Sequence, residues 1–316
     1  MAAMTAAWKG PLPRPVEVLP AEVPLSQLLA RSPLWDVSPD TPLAVPFALE
    51  ATTMSPLPIN LSDGPYFLIT GPPSSGKTTL IQTWLLSLAE CFPPERVEFY
   101  LMGLGDQRLM PFRALPHTTA YVEDAEQLTR VLDELSTTLE ERRQALAQAR
   151  RDSGGVLDEQ SFMARHPALV VATDDFDQFR VHTPESDQDR LAELMGRGRN
   201  LGLYVFAASP TRGLASSYAT LVAALKESQT GFLVGSADTD HLSIFDIYSF
   251  RVPMSGWGKS LPPGRGFFLR RGQARPLQVA SCHAGEPGLV EWIRQIGRKH
   301  SAGEPEARPK GPGTAE

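Results

Sequence analysis

From about residue 59 to residue 297, short β-branched and aromatic runs alternate with stretches whose apolar positions recur at helical spacing. Period-2 and continuous apolar runs predict strands over 66–70, 97–101, 119–122, 168–173, 203–208 and 230–234. The 3.6-residue period predicts helices over 78–91, from 123 to about 151, and over 187–199. Such alternation is the pattern of a doubly wound, mostly parallel α/β sheet with helices on both faces. Runs at 266–270 and 274–280, joined by Arg271-Gly272-Gln273, predict an antiparallel β-hairpin at the sheet edge.

The flanks read differently. Residues 1–58 are proline-rich but punctuated by Leu29, Trp35 and Val45, which predicts a strap packed on the core of 59–297 rather than a free linker. Residues 298–316 are polar and rich in Pro and Gly, predicting a disordered tail. No apolar run is long enough to span a bilayer and the start lacks the layout of a secretory signal, so the expected location is the cytoplasm, at most recruited to the inner face of the membrane through a partner. The two cysteines, Cys91 and Cys282, form no metal-ligand spacing and read as packing residues. A net charge of −6 supplies no global basic footprint, which makes DNA the less favoured partner unless a local patch provides the contact.

The chemistry concentrates at Gly71-Pro72-Pro73-Ser74-Ser75-Gly76-Lys77-Thr78, followed by Thr79, a GxxxxGK[ST] motif between a predicted strand and a predicted helix. Glycines let backbone amides wrap phosphates, Lys77 neutralises β/γ charge, Thr78 ligates Mg²⁺, and the helix adds its positive end. A second acidic site is required at the end of a neighbouring strand, and Ala168 through Thr173 followed by Asp174-Asp175-Phe176-Asp177 supplies it. Asp174 is assigned to the magnesium shell. Asp175 stands where a hydrolytic machine commonly has Glu; its side chain is shorter by roughly 1.5 Å. A displaced base loses rate on the order of a hundredfold, so binding is expected to exceed turnover.

Arg197 and Arg199 precede the strand at 203–208. Arg199 is either a finger for a neighbouring subunit's triphosphate or, with Arg197, a solvated complement to a helix dipole. Ser209 is either a polar sensor of the γ-phosphate or a turn residue. The segment Leu261-Pro262-Pro263-Gly264-Arg265-Gly266 reads as a turn, Glu140-Glu141-Arg142-Arg143 as a solvated ion-pair face, and His117 as structural.

Four segments together resemble the FtsK/SpoIIIE-type ATPase domain, in particular the later modules of the EccC/EssC coupling proteins of type VII secretion. They are the lead-in from Asn60 to the P-loop, Asp174 to Asp177, Gly198 to Ser209, and Leu261 to Phe267, within a similarity running from about residue 15 to 297. The resemblance implies a RecA-like core, ATP with Mg²⁺ as ligand, and neighbouring ATPase modules or copies of the chain in a ring or tandem stack. It further implies engagement of secreted helical-hairpin proteins. Asp175 in place of Glu, and Ser209-Pro210 where DNA-pumping relatives have Thr-Gln, depart from active members and point to a weakly hydrolytic P-loop ATPase module. The alternatives are a DNA-translocating motor, which would show a basic channel, and a small-molecule phosphotransferase, which would need a lid and acceptor pocket.

Overall fold

A computed structural model describes residues 19–32, 42–154, 157–211, 214, 219–247 and 260–301. In chain order the strands are β1 (Ala44–Glu50), β2 (Pro56–Asn60), β3 (Tyr66–Gly71), β4 (Val97–Met102), β5 (Thr118–Val122), β6 (Ala168–Thr173), β7 (Leu203–Pro210), β8 (Thr230–Val234), β9 (Arg265–Arg270) and β10 (Gln273–Val279). The helices are α1 (Leu25–Ala30), α2 (Lys77–Cys91), α3 (Ala125–Asp152), α4 (Glu159–Met163), α5 (Phe176–His182), α6 (Glu185–Gly198), α7 (Thr220–Glu227), α8 (Thr239–Leu242) and α9 (Leu289–Ser301).

All ten strands form one sheet in the order β2-β1-β10-β9-β8-β3-β7-β6-β4-β5. The pairings from β8 through β3, β7, β6 and β4 to β5 are parallel, and those from β8 out to β2 are antiparallel. Every residue of β3 and of β6 is buried, as strands covered on both faces require. Alternation along β3 sends Phe67 and Ile69 into the core under α2 and α9, and Tyr66 and Leu68 into the core under α3, α6 and α7.

The predicted hairpin is β9 and β10, but it does not lie at the edge. Two further strands, β1 and β2, pair beyond it, so the outermost strands are β2 and β5. Both come from the segment expected to be a strap, and the boundary expected at residue 58 falls inside β2. The reason lies in burial: Val45, Phe47, Ala48 and Leu49 are buried and Phe47 stacks on Trp84 of α2 at 4.8 Å. Prolines at 46, 56 and 58 disguised the strands, yet edge strands and bulges tolerate Pro, and the β1–β2 register shifts between Pro46 and Ala48. Trp35 and residues 1–18 lie outside the described residues, as do 302–316; α9 carries the chain in helix past the tail boundary at 298.

Trp84 organises the core beneath the P-loop. It stacks on Phe206 at 4.0 Å and meets Phe67 and Phe232 edge-on at 4.7 and 5.5 Å, tying α2 to β3, β7, β8 and β1. Arg142 corrects the expectation of a solvated face on the long helix. It shares a stripe with Leu128, Leu132, Leu135, Leu139 and Leu146 and is buried. Its guanidinium donates to the carbonyls of Leu201 and Pro167 at 2.9 and 2.8 Å. Glu140 and Arg143 do form the exposed pair, at 2.7 Å.

Candidate nucleotide-binding site

The parallel strands all run toward one edge of the sheet, where Gly71, Met102, Thr173, Pro210 and Val234 end β3, β4, β6, β7 and β8. Ligand crevices of open α/β sheets lie at this carboxyl edge. One strand, β7, is interposed between β3, which carries the P-loop, and β6, which carries Asp174. Ser209, at the end of β7, therefore sits between the two motifs.

The loop 71–76 leads directly into α2 at Lys77. Gly76 holds φ +97°, and a side chain there would meet the amide of Gly264 at 2.7 Å. Lys77 Nζ donates to the carbonyls of Gly71 and Pro72 at 3.1 and 2.8 Å and lies 3.5 Å from Ser75 Oγ, so the ammonium is folded into its own loop. Partial burial lowers its pKa, with Asp174 and Asp175 pulling the other way. Ser75 is buried, Ser74 is exposed with φ +57°, and Pro72 and Thr79 are half-buried.

Thr78 Oγ1 donates to Asp174 Oδ2 at 2.8 Å, joining the two motifs across 96 residues of sequence. The Asp174 side chain is 1% exposed. Burial pushes its carboxyl up to about 6, against the opposing pull of the Thr78 hydroxyl and of Arg108. Its Oδ1 is buried without a hydrogen-bond partner among the described residues. A free carboxylate oxygen beside a threonine hydroxyl is the hard oxygen donor set that Mg²⁺ takes, so these residues fit the ion.

Asp175 is engaged elsewhere. Its Oδ1 accepts the amide of Gln178 at 3.1 Å, capping the N-terminus of α5. Ser209 Oγ donates to Asp177 Oδ1 at 3.2 Å and is buried. Arg199 is not brought to this edge: it caps the C-terminus of α6 at the opposite edge of the sheet, near Tyr66, the first residue of β3, and 3.3 Å from Glu227. Any contact of Arg199 with a triphosphate is therefore with that of another copy or module. Arg197 makes exposed pairs with Glu140 and Glu193, each at 3.7 Å. His117 is buried, bonded through Nε2 to the Phe92 carbonyl at 2.7 Å, with burial lowering its pKa to about 4.

Sequence reading passed over three contributors. Arg108, in the loop after β4, donates to Asp174 Oδ2 at 3.0 Å and Thr78 Oγ1 at 3.3 Å. Gln82, one turn beyond Thr78 on α2, donates to the Arg108 carbonyl at 2.8 Å, and its Oε1 meets His283 Nε2 at 2.6 Å. The Leu261–Gly266 turn packs on the P-loop, the Gly264 amide donating to the Ser75 carbonyl at 2.8 Å. Adjacency of β4 and β6, and of β9 and β8, creates these contacts, and no local spacing announces them.

Residues 24–213 match the FtsK/SpoIIIE family. Among similar proteins, the ESX secretion system protein EccC of Geobacillus thermodenitrificans is 25% identical over 271 residues, 85% of this chain and 17% of the relative. The DNA translocase SftA of Bacillus subtilis is 26% identical over 249 residues, 76% of this chain and 25% of the relative. The chain thus spans a quarter or less of the length of either relative. Among solved structures, EssC (ATPases 2 and 3) from Geobacillus thermodenitrificans superposes with a TM-score of 0.69 at 24% identity, covering 86% of this chain and 46% of that one. EccC (ATPases 2 and 3) of Thermomonospora curvata in complex with a signal sequence peptide gives 0.63 at 21% identity, covering 89% and 47%. At these identities the likeness establishes the fold, a RecA-like P-loop ATPase core.

Proposed function

The chain belongs to the FtsK/SpoIIIE family, and from that premise we propose that it is an ATP-binding module of a type VII secretion coupling assembly, weakly hydrolytic, that engages secreted protein substrates in the cytoplasm. The observation that carries the nucleotide reading is the Thr78–Asp174 hydrogen bond of 2.8 Å beside Lys77. It brings a metal-ligand pair and a phosphate-neutralising cation to the mouth of one loop. Phosphates entering the loop replace the Gly71 and Pro72 carbonyls as partners of Lys77, while amides of the loop and the first turn of α2 face them. Mg²⁺, when bound, would supply charge neutralisation to the triphosphate. Thr78 and Asp174 would hold it.

Weak turnover rests on Asp175. A carboxylate committed to the Gln178 amide gives up the orientation that a water-activating base needs. The secretion role rests on the relatives: EccC aligns over 85% of this chain, and an EccC of like fold is solved with a signal sequence peptide. Neighbouring ATPase modules or further copies of the chain are the partners that would bring an Arg199 to a nucleotide. No helix among the described residues is long and apolar enough to cross a membrane.

A second reading, a DNA-translocating motor, is favoured by the match to SftA over 76% of the chain. One experiment separates the two. Purified protein is titrated with Mg²⁺·ATP by calorimetry, and phosphate release is followed alone, with duplex DNA, and with the C-terminal peptide of a secreted helical-hairpin protein. Binding with slow release, unaffected by DNA and accompanied by peptide binding, is expected. Brisk release stimulated by DNA would replace the secretion reading with the motor. Unchanged affinity in Lys77→Ala would overturn the nucleotide site itself.

A further inference from the structure

The guanidinium of Arg108 occupies the mouth of the metal-ligand pair. Nη1 lies 3.0 Å from Asp174 Oδ2 and 3.3 Å from Thr78 Oγ1, Nη2 lies 3.9 Å from Asp175 Oδ2, and Nε lies 3.3 Å from Asp106 Oδ1. Three carboxylates and a hydroxyl thus surround one planar cation. Its position is built from two sides. Asp106 Oδ1 also accepts the Arg108 amide at 3.2 Å, and Gln82 of α2 holds the Arg108 carbonyl at 2.8 Å while itself fixed by His283. The side chain is nevertheless 53% exposed, so solvent is open to it when it leaves.

A divalent ion held by Thr78 Oγ1 and by Asp174 Oδ1, unpartnered among the described residues, would lie against the guanidinium, which holds the other oxygen of the same carboxylate and the same hydroxyl. Like charges in contact repel, and Mg²⁺ accepts only near-octahedral oxygen ligands. We infer that Arg108 is an internal cation that competes with Mg²⁺ for Thr78 and Asp174. Metal-bearing nucleotide is then bound only as the guanidinium swings out, whereas metal-free nucleotide is held with the guanidinium in place as its counter-charge. This inference rests on the nucleotide-binding reading and adds to it a specificity: the site tolerates nucleotide without metal more than the P-loop alone would. A cation preformed at the site, though of half the charge, lowers the advantage that metal confers, because a ligand shifts an equilibrium only by its differential affinity for the two states.

The test measures affinity for a non-hydrolysable ATP analogue with Mg²⁺ and with EDTA, in the full chain, in Arg108→Ala, in Arg108→Gln and in Arg113→Ala. Arg113, exposed and paired with Glu123 at 3.4 Å, is the control for loss of a nearby charge. In Arg108→Ala the ratio of metal-free to metal-bound dissociation constants should rise about tenfold, since a hydrogen-bonded charge at a half-exposed position is worth about one decade. Mn²⁺ binding in the presence of the analogue, read by electron paramagnetic resonance, should tighten by a similar factor. Arg108→Gln should behave as Arg108→Ala and carries the test if the alanine variant fails to fold; Arg113→Ala should match the parent. A parent that binds the analogue in EDTA but gains from Mg²⁺ only once Arg108 is replaced supports the inference in its strongest form, whereas binding confined to the Arg108 variants overturns the counter-charge role. An unchanged ratio and unchanged Mn²⁺ affinity, with nucleotide still bound, overturn the inference and leave the nucleotide reading standing. Absence of nucleotide binding in every protein overturns both.

Discussion

Gly264, in the turn that opens β9, donates its amide to the carbonyl of Ser75 at 2.8 Å, so the far half of the sheet grips the P-loop from outside. The same turn comes within 2.7 Å of where a side chain on Gly76 would stand. Gly264 itself holds φ +74°, and a Cβ there would meet Gln278 Nε2 at 2.9 Å. Gly264→Ala therefore incurs about 1–2 kcal/mol of backbone strain and shifts the turn. If the turn shapes the loop, nucleotide affinity falls several-fold in this variant while most of the stability survives. Calorimetric titration beside a urea melt checks this, and unchanged affinity in a strained but folded variant would show that the P-loop holds its shape alone.

Asp175 offers a different trade. As the cap of α5 it is worth about 1 kcal/mol, the usual cost of removing such a residue. Asp175→Ala should lower the urea midpoint accordingly and leave nucleotide binding intact. Asp175→Glu gives up most of the cap but extends the carboxylate by one methylene toward the carboxyl edge of the sheet. Phosphate release is expected to rise tenfold or more in Glu and to vanish in Ala, following the sensitivity of a base to its position. Turnover in Asp175→Glu at or below that of the parent would mean that something other than this side chain limits hydrolysis.

Much of this was legible in the sequence because it is local. The P-loop lies between β3 and α2 as its glycines and its Lys-Thr pair indicate, and the run Ala168 to Thr173 ends on Asp174 because a strand buried on both faces reads as continuous apolar sequence. What was hidden depends on sheet order. The strands Ala44–Glu50 and Pro56–Asn60 carry prolines that argue against strand in isolation, and only their place beyond β10 makes them tolerable. Arg108 has no place in the sequence reading, since nothing in its neighbourhood tells that β4 lies beside β6. Arg142 had a signal that was overlooked: it sits three residues after Leu139 and four before Leu146, on the apolar stripe.

The buried carboxyl of Asp174 sets a pH dependence whose sign can be worked out. Its pKa is raised from the ordinary value to about 6 in the folded chain. The folded state therefore binds the proton more tightly than the unfolded state, and the stability this brings is present at low pH and lost as pH rises through about 6. His117 acts oppositely: burial lowers its pKa to about 4, so its contribution is present at neutral pH and lost as pH falls. The two slopes overlap between about 4 and 6, so the wild-type profile alone does not isolate either. The difference between wild type and Asp174→Asn should show the Asp174 slope, with the variant gaining on wild type as pH rises toward about 6 and the difference levelling off above it. Metal-dependent nucleotide binding should strengthen over the same interval, because Mg²⁺ takes the deprotonated carboxylate. A pH-independent difference in urea midpoint between the two proteins would contradict the raised pKa.

The last prediction concerns the helix that carries Lys77. Trp84 is fully buried between Phe47, Phe67, Phe206 and Phe232, yet its indole Nε1 has no hydrogen-bond partner among the described residues. Two substitutions separate the opposed contributions. Trp84→Ala removes the whole ring and should cost about 3–5 kcal/mol, the range for large aromatic truncations in a core. Trp84→Phe removes the donor with the smaller ring of the indole, so relief of an unsatisfied N–H, about 1–3 kcal/mol, offsets a cavity penalty of similar size. The phenylalanine variant should then lie within about 1 kcal/mol of the parent, where an ordinary buried tryptophan with a bonded N–H would lose far more. Nucleotide affinity should be unchanged in Trp84→Phe and reduced in Trp84→Ala, because α2 positions Thr78 only while its underside is packed. A loss of 3 kcal/mol or more in Trp84→Phe would mean that the indole N–H has a partner, such as an ordered water, and that the aromatic cluster contains a polar contact.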